Sequence, residues 1–96
     1  MRRVRNFWLP LTLNIMKLLH LNIISPESSL FKGDVKEVTL PGTLGPFTIL
    51  PTHAPIISSL EKGVIAFETE KGETQNVEIG GGFVEMSDDN VTVCIC

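Results

Sequence analysis

The chain has 96 residues, 43% hydrophobic and 20% charged, with 8 Gly, 6 Pro and 2 Cys. That length holds one cored domain, and the apolar share is too high for a disordered chain. Eight Lys+Arg against eleven Asp+Glu give a formal charge of −3, which speaks against a duplex nucleic-acid binder, since such proteins present a basic face. Two cysteines allow at most one intrachain disulfide, so this is not a cystine scaffold.

The charge is unevenly placed. Arg2, Arg3 and Arg5 precede an apolar stretch, whereas from Lys17 onward five Lys face all eleven acids, leaving that part at −6. Residues 1–16 have the outline of a secretory signal, but Pro10, Thr12 and Asn14 interrupt the apolar run and no small-x-small cleavage site follows. The run is too short and broken to span a bilayer. The expectation is a disordered or mis-assigned extension over 1–16, with Met16 the natural first residue and a β-domain over 17–96. A membrane-touching basic-aromatic segment and a true signal are the other readings of this stretch.

From Lys17 the period is two. Leu19, Leu21 and Ile23 alternate with His20 and Asn22, and Pro26 with Ser28-Ser29 breaks the run. Val35 to Leu40 reads as a second strand, with Val38 and Leu40 on one face, Glu37 and Thr39 on the other, and Pro41-Gly42 as a turn. Residues 41–55 hold four Pro and two Gly, a density of breakers that no helix survives. Phe47 to Leu50 therefore reads as a short strand. Ile56, Ile57 and Leu60 restart the apolar signal. Lys71-Gly72 predicts a hairpin tip between VIAFETE and ETQNVEI. Phe83 to Met86 and VTVCIC complete the series, joined by the polar turn Ser87–Asn90. Turn signals every 8–12 residues and one apolar face per strand predict an all-β sandwich or barrel.

No catalytic constellation stands out. His53, in Pro51-Thr52-His53-Ala54-Pro55, has no orienting partner at a hydrolase spacing, and reads as a loop His that two prolines hold in a fixed surface. Cys94 and Cys96 point to one side of the last strand, but a single C-x-C lacks the second hook of a zinc site. Completing a metal shell with His20 or His53 is the weaker reading. Gly80-Gly81-Gly82 precedes a strand and not a helix, so it predicts a bulge or a close backbone approach, not a phosphate loop. Asp88-Asp89 reads as a solvated turn rather than a calcium site. A small β-domain of this kind is a binding or assembly module. One reading is a free-standing binding module, secreted if residues 1–15 act as its signal.

Five ordered landmarks favour a different reading, an assembly role. The S-P-E after the first strand, F-K-G-D-V at 31–35, P-x-H-A-P at 51–55, G-x-I before the central hairpin, and G-G-G-F-V-E at 80–85 resemble the epsilon subunits of F-type ATP synthases (delta in mitochondrial naming) from about Leu19 to the end. The resemblance implies a flattened β-sandwich of about ten short strands. It also implies a non-catalytic place at the foot of the rotor stalk, joining the gamma subunit to the membrane c-ring, and a peripheral location on the cytoplasmic face of the bacterial inner membrane.

The family continues into a helical hairpin. The sequence stops at Cys96, at the last predicted strand, so that hairpin, its braking of ATP hydrolysis and any ATP site of its own are expected to be absent, with no cofactor or metal. By position in the family, Thr43, Leu44, Gly45, Pro46 and Phe47 face the c-ring, while His53 and Ser58 face gamma. Many relatives carry Gly-Glu-Leu where this chain has Gly45-Pro46-Phe47, so packing of Phe47 is expected to replace a charged ring contact.

Overall fold

The structure is a computed structural model that describes residues 17–96, so the readings made for residues 1–16 lie outside it. The described residues form eight strands and no helix: β1 (Leu19–Ile24), β2 (Ser29–Gly42), β3 (Gly45–Ile49), β4 (Ile56–Leu60), β5 (Gly63–Thr69), β6 (Thr74–Ile79), β7 (Gly82–Ser87) and β8 (Asn90–Ile95). The all-β sandwich is as expected. The described residues hold eight strands where the resemblance implies about ten, and β2 is a single strand of 14 residues.

That long strand is the spine. Its first half lies antiparallel to β1, with Leu19 opposite Val35 and Ile23 opposite Phe31. Its second half pairs β3 on one edge and β5 on the other, so that Val38 has both Ile49 and Phe67 as partners. The register with β5 skips between Val35 and Glu37, which makes Lys36 the bulged residue. A bulge of this kind bends a strand and increases its twist, which lets one strand serve both layers. From β1 the pairing passes to β8 (parallel), then β7, then β4, and returns to β2 where Leu60 meets Gly42.

The break at Pro26 separates β1 from β2 as expected, but β2 outruns its expected bounds at both ends: it begins at Ser29 rather than Val35, and Pro41-Gly42 are its last residues, with the turn one step later at Thr43-Leu44. Pro41 sits opposite Pro46 across the β2–β3 ladder. A proline has no N–H to give, so two can face each other only where the amides point outward. The Pro41 carbonyl does point away, accepting the Glu61 N–H at 2.9 Å.

The core follows the period-two pattern. Leu19, Leu21 and Ile23 are buried, as are Val35, Val38 and Leu40, and Val84 with Met86 meets Val91 and Val93. Fully burying such side chains contributes about 1.5–3 kcal/mol each, and no polar or charged residue is buried among the described ones. The expected close approach at the triple glycine is present: a Cβ on Gly82, at φ +150°, would run into the Cys94 carbonyl oxygen.

Candidate functional site

The β2–β3 hairpin turns at Thr43-Leu44, between the paired residues Gly42 and Gly45. It is braced to β4. The Thr43 N–H donates to the Ser59 carbonyl at 3.1 Å, and the two hydroxyls of Thr43 and Ser59 lie 2.9 Å apart. Leu44 at the tip is fully exposed, at 103% of its reference area. Phe47 is half-buried and packs against the core. Of the five residues expected at a ring contact, Leu44 therefore presents its apolar side chain outward, whereas the Phe47 ring is largely committed to the fold.

The hairpin also forms one wall of a groove of about 400 Å³, lined by Leu44, Pro46, Phe47, Ile56 and Ser58 along with Gly42 and Gly45. Ser58 is half-buried on β4, opposite Val84 of β7. The structure thus brings Ser58, assigned from the resemblance to the gamma side, together with the loop assigned to the ring. His53 is not part of this groove. Ile56 is: it is half-buried against the core and lines the groove as well, a role that its place in an apolar run does not signal.

His53 is exposed in the loop between β3 and β4, with Nδ1 2.8 Å from the Ala54 carbonyl oxygen. The loop is tied down by more than its prolines. Thr52 holds φ +68°, a left-handed backbone that a β-branched residue rarely adopts and that costs about 1–3 kcal/mol. Its N–H donates to the Asp89 carboxylate at 2.6 Å. Asp88 and Asp89 themselves have φ +50° and +62°, the two positive values of a tight hairpin turn between Ser87 and Asn90. The Asp89 carbonyl also accepts the His20 N–H at 2.8 Å. One residue therefore joins the start of β1, the β7–β8 turn and the His53 loop.

Other candidates resolve into structure. His20 pairs with Asp34 on an exposed face, in a polar groove with no Ser or Cys beside it. Lys36 and Glu68 lie 3.9 Å apart at the surface, where such pairs contribute little. Both cysteines are free, Cys94 half-buried and Cys96 exposed. Among the described residues, no three His, Cys, Asp or Glu cluster as metal ligands, and no helix is long and apolar enough to cross a membrane.

With this geometry in view, the similarities become informative. The profile of the ATP synthase delta/epsilon chain β-sandwich domain matches residues 18–95. The chain belongs to this family. The ATP synthase epsilon chain of Wolinella succinogenes is 47% identical over 79 residues, covering 82% of this chain and 60% of the relative. That of a Sulfurovum species is 44% identical over 80 residues, covering 83% and 62%. The chain thus spans about three-fifths of the length of these relatives. A chain in the Euglena gracilis mitochondrial ATP synthase (OSCP/F1/c-ring) matches with a TM-score of 0.78 at 21% identity, covering 82% of this chain and 51% of that one. One in the Tetrahymena thermophila mitochondrial ATP synthase central stalk and c-ring matches at 0.67 and 14%, covering 80% and 62%. At those identities the two share the fold of this family member.

Proposed function

We propose that this chain is a rotor subunit of a proton-translocating F-type ATP synthase, placed between the gamma subunit and the c-ring. It carries torque across that joint and performs no bond chemistry of its own. The location in this reading is peripheral, on the cytoplasmic face of a bacterial plasma membrane. Family membership supports this over a free-standing binding module.

The observation that carries the reading is the β2–β3 hairpin: an outward apolar tip, Leu44, held by two bonds between Thr43 and Ser59 on a cross-braced sandwich. A contact that bears torque must not shear, and a close-packed core with ladder hydrogen bonds resists shear. The adjoining groove, with Ser58 on one wall and Pro46 and Phe47 on the other, offers an apolar pocket beside the tip. Pockets of that type are where the anchoring side chains of a partner bind. In this reading Leu44 meets the ring, and Ser58 and His53 face gamma.

The test is copurification from reassembled enzyme. Ser58→Arg puts a long charged side chain into the groove. It is expected to reduce recovery with gamma while the thermal transition of the free subunit stays in place. Recovery equal to that of the unaltered chain would withdraw the groove from the gamma interface.

A further inference from the structure

Among the described residues, the three non-glycine positions with positive φ lie in two turns joined by one hydrogen bond: Thr52 donates its N–H to Asp89, and Asp88 precedes Asp89 in the β7–β8 turn. The two Asp residues hold the ordinary dihedrals of a tight hairpin turn, but a β-branched residue such as Thr52 stays in this region only where surrounding contacts over-determine it, and strain of that kind clusters at functional sites. From this coincidence we infer that Asp89 is a positioning residue. Its carboxylate latches the Thr52 N–H and so holds the Pro51–Pro55 loop in the shape that presents His53 to a partner. The inference rests on the proposed rotor role, in which that partner is the gamma subunit.

Each part of the latch has its own physical reason. Asp tolerates the left-handed turn better than most residues, so Asp89 can occupy a tight hairpin and still turn its side chain outward. A charged acceptor makes a stronger bond to a backbone N–H than a neutral one does. Thr52 cannot relax cheaply while that bond holds, and Pro51 and Pro55 limit the routes by which the loop could leave. The separate bond from the His20 N–H to the Asp89 carbonyl ties the latch to β1 and does not depend on the carboxylate. The loop is therefore fixed against the sandwich and not merely stiff within itself, which a docking element needs if it is not to lose entropy on binding.

The substitution that isolates the carboxylate is Asp89→Gly. Glycine keeps the turn, because it accepts positive φ without strain, and the backbone bond to His20 remains available. In the full chain, the Thr52 amide is expected to exchange with solvent at least about tenfold faster, while the amides of Leu21 and Val93 and the thermal transition stay unchanged. The apparent dissociation constant for gamma is expected to rise about tenfold, the loss produced when the competent loop falls to roughly one molecule in ten. Asp89→Asn, which keeps a side-chain oxygen, is expected to restore most of both.

His53→Ala, measured in parallel, separates the latch from the docking assignment. Unchanged Thr52 exchange in Asp89→Gly would overturn the latch. Faster exchange with unaltered gamma affinity, while His53→Ala binds more weakly, would overturn its role in presentation. If neither variant binds gamma more weakly, the docking assignment of His53 fails, and the positioning role falls with it.

Discussion

Gly42 is buried with Phe47 lying across it: a methyl group there would stand 2.8 Å from the Phe47 ring and 2.7 Å from the Gly45 carbonyl oxygen. The hairpin cannot hold its present shape with any side chain at that position. Gly42→Ala is expected to destabilise the chain by about 1–3 kcal/mol, the usual range for overpacking. Urea denaturation monitored by circular dichroism measures this, and an unshifted midpoint would mean that the ring moves aside freely.

The rings of Phe31 on β2 and Phe67 on β5 are 4.4 Å apart between centroids, tilted by 46°. Such a pair is worth about 0.5–1.5 kcal/mol beyond the area it buries. A double-mutant cycle with Phe31→Leu and Phe67→Leu is expected to return a coupling energy of that size. Strict additivity of the two losses would show that the rings do not interact beyond simple burial.

Thr43 and Ser59 brace the hairpin through a hydroxyl pair as well as a backbone bond. Thr43→Val keeps the shape and removes the hydroxyl. Because the site is exposed, the expected loss is at the low end for a hydrogen bond, about 0.5 kcal/mol. Ser59→Ala should cost about the same, and the double variant little more than either alone. Full additivity in the denaturation midpoints would indicate that the two hydroxyls act separately.

Leu44 separates ring contact from folding. Its side chain is fully exposed at the rim of the groove, so Leu44→Asp is expected to leave stability within about 0.5 kcal/mol. In reassembled membranes the same variant is expected to lower ATP-driven proton pumping relative to ATP hydrolysis. Pumping equal to that of the unaltered enzyme would remove the tip from the ring contact. Deleting Pro46 and Phe47 would be a poorer test, because Phe47 packs against the core and its loss damages the fold directly.

The strands legible beforehand were those whose pattern is local. Ile65 and Phe67 are buried and Ala66 and Glu68 only partly so, as their alternation implies. The polar turn Ser87–Asn90 is a hairpin, and the triple glycine is a close approach of backbones. The extent of β2 was not legible. Pro41-Gly42 has the composition of a turn, and only the opposing Pro46 and the Glu61 donor make it strand. For the site, the hairpin and His53 loop were visible as breaker-rich segments, but the groove that joins Ser58 to Pro46 and Phe47 was not.

The sequence by itself determined that residues 17–96 would be all β and where the alternating core of β1, β5 and β8 would begin, because burial on a strand follows a two-residue period that each segment carries internally, whereas Ile57 and Phe83 share that apolar signal and lie exposed. Only the tertiary structure decided that Asp89 would reach Thr52, 37 residues away along the chain. A hydrogen bond at that separation leaves no local pattern: it exists because the β3–β4 loop and the β7–β8 turn meet in the folded chain.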